Sequence, residues 1–325
     1  GVGPGAVRFI SGTWAPHVAL ESGLAAFHDR QAAMIFSSAY AAIVGVLVPL
    51  ITDQTVIISD ALNHNSIINA MRLARPADKQ VYAHNDMEHL EAMLAEAGGK
   101  HRRAIVISDG VFSMRGDTAP LAEIMALAEK YDAGFAENVL VVIDDSHGVG
   151  AYGPTGRGTE EVAAVRADLL VATLGKALGV NGGYVAASPT IVEYLRQQSP
   201  LYVYSNPITA GEAAAASRAL DMLDSPAGLE RLGHLKAMTE RFEAGLIALG
   251  FETISSPHPI VPLLLRHTER TSALVAHLRQ NGILATGLNY PVVPKGDQTI
   301  RFQISADHTP HDIAEALDVL GGFSG

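Results

Sequence analysis

The sequence predicts an α/β protein, with a mostly parallel sheet sandwiched by helices and a smaller C-terminal α+β domain. Short runs of β-branched and aliphatic residues alternate with segments of helical periodicity up to about residue 190. Beyond about residue 210, a long amphipathic segment and then shorter strand and helix patterns replace this alternation. Strands that alternate with helices are typical of parallel sheets.

Four runs in the first part of the chain are predicted to be strands buried on both faces. They are rich in Val, Ile and Leu, and they lack the alternation of a strand that has one solvated face. These runs cover residues 55–59, 104–108, 139–144 and 168–173.

Two helices are predicted between these strands. One covers residues 86–97, repeats Leu and Ala at helical spacing, and has Asp86 at its N-cap position. The other covers residues 119–131, with Pro120 in its first turn.

A change of pattern near residue 222 predicts a domain boundary, with one domain over residues 1–222 and a second over 223–325. The second domain is expected to begin with a long amphipathic helix and to contain two strands and two more helices. The predicted elements are a helix over 228–249, a strand within 259–266, a helix near 271–281, a strand over 300–305 and a helix over 310–321.

Composition argues against several classes of function. The formal net charge of −11 disfavours nucleic acid as a partner, and the absence of cysteine excludes disulfides and thiolate chemistry. No apolar run reaches the roughly 18 residues of a membrane span, and the first residues do not resemble a signal peptide. We therefore expect a cytoplasmic protein. The 13 histidines show no zinc-binding spacing, so no metal site is expected.

Two strand ends carry ionisable residues in a pattern that indicates a cofactor. The strand in VVIDDSHGVG ends at Asp144, with His147 three residues later, and Lys176 follows the next strand in TLGKALG. Ligands of open α/β sheets bind at the carboxyl ends of strands. Pyridoxal phosphate (PLP) requires an acid that keeps its pyridine nitrogen protonated and a lysine that holds its aldehyde as an imine. The small apolar neighbours of Lys176 also predict a partly desolvated amine, which favours the nucleophilic form.

Ordinary structural roles are the alternatives for these residues. Asp144 could cap a turn, His147 could be an incidental polar residue, and Lys176 could lie on the surface as most lysines do. A phosphate site is predicted where FSSAYAAIVG (36–45) leads into a helix, since free N–H groups at a helix N-terminus bind anions. Thr173 and YSNP (204–207) add further donors.

Three more residues are candidates for cofactor or substrate contacts. His64 lies in SDALNHNSI, a polar turn after a strand, and its imidazole could stack on a flat ring or belong to an ordinary Asn/His turn. Ser113 in DGVFSMRGD could donate its hydroxyl to the phenolic oxygen of the ring. Arg301 in QTIRFQIS could bind a substrate carboxylate through two parallel hydrogen bonds, or point to solvent from an edge strand.

Taken in order, these motifs resemble the α-oxoamine synthases, a family of fold-type I PLP enzymes. The resemblance covers nearly the whole chain, in the motifs GAVRFISGT, SDALNHNSII, DGVFSMRGD, DDSHGVGAYGPTGRG, TLGKALG, YSNP and YPVVPKGDQTIRFQISADHT. It implies the PLP-dependent transferase fold and an acyltransferase that condenses glycine with acetyl-CoA. The alternatives are a family member that uses alanine or a longer acyl-CoA, a lyase or aminotransferase of the same fold, and an inactive truncated PLP-binding protein.

The resemblance also implies a role for each candidate catalytic residue. Lys176 would form the Schiff base with PLP and later remove the α-proton of the substrate. Asp144 would pair with the pyridine nitrogen, while His147 and Ser113 would donate hydrogen bonds to the phenolic oxygen. His64 would stack over the ring and contact the substrate.

The remaining implied contacts are to the phosphate. The backbone of Ala39 and Tyr40 and the hydroxyl of Thr173 would hold it, with Ser205 and Asn206 contributed by the second subunit of a homodimer that shares its active sites.

Arg301 would bind the carboxylate of the amino acid. The sequence departs from the family pattern at Thr299, where a second basic residue is expected, and at Ala39, where many relatives have glycine. Relatives also carry several dozen residues before the segment that opens this chain, so their N-terminal arm is expected to be absent here.

Overall fold

The computed structural model describes residues 2–323 of the chain. Its chain contacts divide it into two compact units. The first unit contains the residues up to Val111 together with Ala119–Ser225, and the second contains Phe112–Thr118 together with the residues from Pro226 onwards. The assignment of a PLP-binding domain to residues 1–222 and of a small domain to 223–325 stays a prediction.

Helices and strands are numbered in chain order. The helices are α1 (Arg8–Ser11), α2 (Ala15–Phe27), α3 (Ala39–Leu50), α4 (Asn65–Ala74), α5 (Met87–Ala97), α6 (Leu121–Tyr131), α7 (Thr159–Ala163), α8 (Pro189–Gln198), α9 (Pro200–Val203), α10 (Ala210–Leu223), α11 (Pro226–Ala248), α12 (Thr268–Gln280) and α13 (Pro310–Gly321). The strands are β1 (Ala32–Phe36), β2 (Thr55–Asp60), β3 (Asp78–Tyr82), β4 (Arg103–Asp109), β5 (Asn138–Asp144), β6 (Leu169–Thr173), β7 (Gly183–Ala187), β8 (Glu252–Thr253), β9 (Ile260–Leu264), β10 (Thr286–Leu288) and β11 (Thr299–Gln303).

The first unit is built on a seven-stranded sheet in the order β1-β7-β6-β5-β4-β2-β3. Six strands run in the same direction, and β7 alone is antiparallel to both of its neighbours. The mostly parallel sheet flanked by helices that the sequence predicts is therefore confirmed. The four predicted strands correspond to β2, β4, β5 and β6, whose residues are almost all buried.

Helix α3 packs closely on this sheet, and its apolar residues form much of the core. Ile43 and Leu47 are completely buried. Gly45 allows the close approach, because a Cβ there would lie 2.6 Å from the ring of Phe36 and 2.7 Å from the hydroxyl of Ser199. A methyl group at this position would force the helix away from its neighbours.

Local capping signals explain where α5 and α6 begin. The Asp86 carboxylate accepts a hydrogen bond from the backbone N–H of His89, which confirms the predicted N-cap of α5. The prediction that Pro120 lies in the first turn of α6 is wrong by one position. Pro120 is the N-cap residue, because its ψ of 66° is not helical and the helix starts at Leu121.

The second unit contains a four-stranded antiparallel sheet in the order β10-β11-β9-β8, together with α11, α12 and α13. The two predicted strands and three predicted helices are found, with ends displaced by a few residues. Strand β11 lies between β10 and β9, so the edge-strand alternative for Arg301 is wrong. Within residues 2–323, no helix has both the length and the hydrophobicity that crossing a bilayer requires.

Candidate active site

Three neighbouring strands of the first unit, β2, β4 and β5, end in buried aspartates. These are Asp60, Asp109 and Asp144, and the last two are directly paired in register. The strands are parallel, so the three carboxyl groups lie side by side at the carboxyl ends of these strands. The sequence pattern singled out Asp144 alone. Asp109 ends the run AIVISD in the same way, and this signal was available in the sequence.

Asp144 is held by the turn that follows it. Its Oδ1 atom accepts hydrogen bonds from both the backbone N–H and the hydroxyl of Ser146. Burial raises the pKa of Asp144, whereas the Ser146 hydrogen bonds and the charges of Lys176 and His64 oppose this rise. Lys176 and His64 thus favour the ionised form of Asp144.

Lys176 lies in the loop that joins β6 to β7. Backbone hydrogen bonds close this loop, from Leu174 to Gly182 (3.0 Å) and from Val180 to Leu174 (2.9 Å). Lys176 is exposed in the single chain, so the predicted partial desolvation by its small neighbours is wrong. Those neighbours have too little side chain to cover a lysine.

A cavity of about 450 Å³ opens between this loop and α10. Its lining includes Asn181 from the loop and Glu212 from the helix, and their side chains are hydrogen-bonded at 2.8 Å. The hydrogen bonds from Asn181 and Thr209 also lower the pKa of Glu212. The cavity therefore contains one carboxylate, that of Glu212, which a hydrogen bond joins to the loop that carries Lys176.

The residues predicted to hold a phosphate come together at the start of α3. Ser38 caps the helix by accepting a hydrogen bond from the backbone N–H of Ala41. The backbone N–H groups of Ala39 and Tyr40 have no hydrogen-bond acceptor within residues 2–323.

Gly183 allows the start of α3 to lie close to the sheet. Gly183 pairs with Thr173 in the β6–β7 register, and a Cβ on Gly183 would lie 2.2 Å from the backbone nitrogen of Ala39. Only glycine leaves room for this approach. The Thr173 hydroxyl donates to the carbonyl of Gly182 and accepts from the backbone N–H of Gly175.

His64 is fixed at the N-cap of α4. Its Nδ1 atom accepts the backbone N–H of Ser66 (3.2 Å) and lies 2.8 Å from the Ser66 hydroxyl. The backbone N–H of His64 donates to Oδ2 of Asp109 (3.1 Å). Because Nδ1 is an acceptor, the neutral imidazole carries its proton on Nε2. The imidazole is exposed, and its stacking on a ring stays a prediction.

His147, Ser205 and Asn206 also belong to the first unit. His147 is half-buried in the turn after β5, three residues beyond Asp144. Ser205 and Asn206 lie between α9 and α10, where Asn206 is exposed and Ser205 is half-buried. The contribution of these two residues to a second subunit stays a prediction.

Asp145 is a residue of this region that the sequence pattern did not assign. It has no exposed surface, and a Cβ at Gly110, Gly148 or Gly158 would lie 2.0–2.4 Å from its carboxylate oxygens. Three glycines therefore make the space that this carboxylate fills. The side chain anchors the turn that carries Asp144 and His147.

Ser113 and Arg301 lie together in the second unit. The Nε atom of Arg301 donates to the backbone carbonyl of Ser113, and Nη2 donates to Oε1 of Gln303. Burial lowers the pKa of Arg301. The hydroxyl of Ser256 also donates to the carbonyl of Gly116 (2.6 Å), so the segment 112–118 is bound at two points.

The donor set of the first unit fits a phosphorylated pyridine ring. Two unpaired backbone N–H groups at the start of α3 suit an anion, and Gly183 provides the space in which they meet the sheet. The carboxyl group of Asp144 suits a protonated ring nitrogen, and Lys176 offers a primary amine. Within the described part of the chain, no group of three or more His, Asp or Glu side chains could hold a metal ion.

Comparison with known proteins identifies the family of this chain. The family model for class I and II aminotransferases matches residues 5–320. The 2-amino-3-ketobutyrate coenzyme A ligase of Salmonella typhimurium is 43% identical over 98% of this chain and 79% of its own length. The mitochondrial enzyme of that name from Homo sapiens is 41% identical over 98% and 75%. The 8-amino-7-oxononanoate synthase of Fervidobacterium nodosum is 42% identical over 98% and 80%.

Solved structures give the same result for the fold. Serine palmitoyltransferase from Sphingomonas wittichii superposes with a TM-score of 0.92, at 28% identity over 99% of this chain and 79% of its own. The enzyme from S. paucimobilis, solved with a bound PLP–myriocin aldimine, has a TM-score of 0.92 and 27% identity over the same shares. The chain therefore belongs to the class I and II aminotransferase family and, within it, to the α-oxoamine synthases.

Proposed function

We propose that this protein is a PLP-dependent acyltransferase that condenses glycine with acetyl-CoA to give 2-amino-3-ketobutyrate and CoA. The observation that carries the proposal is the 43% identity, over 98% of the chain, to 2-amino-3-ketobutyrate coenzyme A ligase. The site described above supports it, because it offers a lysine, a buried acid and an anion-binding helix start on one edge of the sheet.

The cofactor would be held by residues of the first unit. The backbone N–H groups of Ala39 and Tyr40 and the hydroxyl of Thr173 bind the phosphate, and Lys176 binds the aldehyde carbon. When bound, PLP supplies a ring that accepts the negative charge left at the α-carbon of an amino acid. Asp144 keeps a proton on the ring nitrogen, and for this it must itself be ionised. The two hydrogen bonds from Ser146 favour that ionised form.

Proton transfer and bond formation would follow from these positions. The amine of glycine would replace Nζ of Lys176 on the aldehyde carbon, which breaks the bond between Lys176 and the cofactor. The freed Nζ would then take the α-proton of glycine and hold it as an ammonium group. The α-carbon then attacks the thioester carbonyl of acetyl-CoA, a carbon–carbon bond forms, and the carbon–sulfur bond breaks to release CoA. His64, with its Nε2 proton, contacts the substrate from the N-cap of α4.

The other assigned residues bind and orient. Arg301 binds the substrate carboxylate, a task for which its planar guanidinium is suited. His147 and Ser113 donate hydrogen bonds to the phenolic oxygen of the cofactor. Ser205 and Asn206 serve the active site of the second subunit in a homodimer. A cytoplasmic location completes the proposal.

The experiment that tests this function follows the visible spectrum of the protein with PLP, then with glycine, then with acetyl-CoA. We expect an absorbance band that borohydride fixes covalently, that shifts with glycine, and that is followed by release of free CoA. Bound PLP without CoA release would refute the acyltransferase. Lys176→Ala should abolish the covalent linkage, whereas Lys79→Ala, at an exposed position on β3, should retain it. Full turnover by Lys176→Ala would remove Lys176 from the mechanism.

Asp144→Asn tests the assigned acid separately. It should slow the exchange of the glycine α-proton with solvent deuterium more than it weakens glycine binding, because a neutral amide does not hold a proton on the ring nitrogen. Proton NMR of glycine measures the exchange. An unchanged exchange rate would argue against the role of Asp144.

A second candidate is the 8-amino-7-oxononanoate synthase type of reaction, which would use alanine or a longer acyl-CoA. The observation behind it is the 42% identity to the Fervidobacterium nodosum enzyme of that name, which is lower than the 43% identity to the ligase. One methylene in an apolar pocket changes binding by only about 1–3 kcal/mol, so the acyl chain length must be measured. A kcat/KM higher for alanine with a longer acyl-CoA than for glycine with acetyl-CoA would select this candidate.

A further inference from the structure

Asp109 lies beside Asp144, yet the proposed reaction does not use it. The two residues end adjacent parallel strands and are paired in register. Asp109 is 5% exposed and Asp144 is 6% exposed, so little water reaches either carboxyl group. Two buried carboxylates on directly paired residues of adjacent strands repel each other, and a single proton bound to either one removes the repulsion.

Hydrogen bonds distinguish the two carboxyl groups. Asp144 accepts two hydrogen bonds from Ser146 at one oxygen. Asp109 accepts one, from the backbone N–H of His64 at Oδ2, and its buried Oδ1 has no hydrogen-bond partner within residues 2–323. Donors stabilise a carboxylate. Asp144 is therefore better suited to the ionised form, and Asp109 to the neutral acid.

Asp109 is also locked in place by Asn63. The Asn63 side chain accepts the backbone N–H of Asp109 (2.7 Å) and donates to the carbonyl of Ile107 (2.8 Å) and the hydroxyl of Ser59 (2.9 Å). Asn63 directly precedes His64 in the chain. Asn63 and Asp109 thus join the end of β4 to the residue that caps α4.

We propose that Asp109 is a positioning residue, which as a neutral carboxylic acid fixes the backbone of His64 and leaves Asp144 as the only carboxylate beside the pyridine nitrogen. The inference rests on the proposed function, in which His64 and Asp144 contact PLP. It adds a requirement that the strand-end pair carry one negative charge.

The charged groups around Asp109 act in both directions. Asp144 on β5 and Asp60 on β2 raise its pKa, while Lys176 after β6 and the His64 N–H lower it. Burial is the largest effect and also raises it, so the pKa of Asp109 lies well above the usual value of an aspartate. This direction agrees with the geometry.

The first test compares Asp109→Asn with Asp109→Ala and measures PLP affinity by spectroscopic titration. Asn has the shape of the neutral acid, and its oxygen can still accept the His64 N–H. We expect Asp109→Asn to bind PLP within about three-fold of the wild type, and Asp109→Ala to bind about ten-fold or more weakly. Equal losses of PLP affinity in both variants, or a misfolded Asp109→Asn, would overturn the proposal that Asp109 is a neutral acid. Unchanged binding by Asp109→Ala would overturn the positioning role.

The second test needs no cofactor. The infrared difference spectrum between wild-type apoprotein and Asp109→Asn, at about pH 8, should contain the carbonyl band of a protonated carboxylic acid. Only carboxylate bands in that difference would overturn the proposal. If the wild type binds no PLP, or releases no CoA, the proposed function fails, and this measurement still decides the protonation of Asp109.

Discussion

The carboxylate of Asp145 accepts two hydrogen bonds from a single residue, Thr159. Its Oδ2 atom accepts the backbone N–H (2.6 Å) and its Oδ1 atom accepts the hydroxyl (2.7 Å). Thr159 is the first residue of α7, and Asp145 directly follows Asp144. The two hydrogen bonds between Asp145 and Thr159 therefore connect the turn after Asp144 to the start of α7. They do so in addition to the hydrogen bonds between the strands.

Replacing Thr159 by Val should lower the free energy of unfolding by about 1–3 kcal/mol, because a buried carboxylate oxygen loses its donor. Chemical denaturation measures this change. Thr159→Ser keeps both hydrogen bonds and should lose much less. If Ser and Val destabilise the protein equally, packing of the methyl group, and not the hydroxyl, would explain the loss.

Asp145 should make stability depend on pH. Burial raises its pKa to about 7, against about 4 in an unfolded chain. The folded state therefore holds an extra proton between about pH 4 and pH 7, and this contribution to stability is lost as pH rises through that window. The slope for one proton is at most about 1.4 kcal/mol per pH unit.

Asp145→Asn should remove this slope and still fold, since an amide can accept the Thr159 N–H and donate to its hydroxyl oxygen. Unfolding free energies at several pH values measure the effect. A variant with the same pH profile as the wild type would show that Asp145 is ionised throughout.

His28 should produce the opposite slope. Its ring nitrogen lies 2.7 Å from the hydroxyl of Tyr184, and burial, aided by the charges of Arg30 and Arg157, lowers its pKa to about 3. The unfolded chain therefore binds the extra proton between about pH 3 and pH 6.5, and stability falls as pH falls through that window.

His28→Asn should reduce this acid sensitivity between about pH 6.5 and pH 4, measured as unfolding free energy against pH. In the wild type, the contributions of His28 and Asp145 oppose each other over most of this range. Each variant removes one of these contributions. The two changes in pH slope, each measured relative to the wild type, should therefore have opposite signs. Slopes of the same sign would contradict one of the two assignments.

Gly183→Ala should weaken phosphate binding, because its methyl group would lie 2.2 Å from the backbone nitrogen of Ala39 and displace the start of α3. We expect PLP affinity, measured by titration, to fall by about ten-fold or more. Gly233→Ala, where no atom lies within 4 Å of the added Cβ, is the matched control and should bind PLP normally. Normal PLP binding by Gly183→Ala would show that the start of α3 does not bind the phosphate.

The sequence pattern predicted the strands in which nearly every residue is apolar and buried. The fully apolar strands β2, β4, β5 and β6 were predictable because nearly every residue is buried. Strand β3, at the edge of the sheet, begins with three polar residues and has no apolar–polar alternation, and β7 consists largely of small residues, so neither pattern predicts a strand. Their pairing is set by contacts distant in sequence.

The site was predictable to a similar degree. Asp144 ends one strand and Lys176 follows the next, and the pattern predicts the direction of both strands, so their position at the carboxyl ends of the strands could be inferred. The exposure of Lys176 depends on how the loop 174–182 folds, which its glycines do not determine. The position of Asp109 at a strand end could be read from the run AIVISD, but its pairing with Asp144 could not, because register is a property of the assembled sheet.

The segment 112–118 makes the two units inseparable by a single cut in the gene. A fragment that begins at Pro226 would retain Ser256 and Arg301 but lack the Gly116 and Ser113 carbonyls that accept their hydrogen bonds. A fragment that ends at Ser225 would carry seven residues that belong to the other unit. Expressing the C-terminal unit alone therefore requires grafting those seven residues onto it. Ribosomal synthesis delivers Gly116 140 residues before Ser256 and Ser113 188 residues before Arg301.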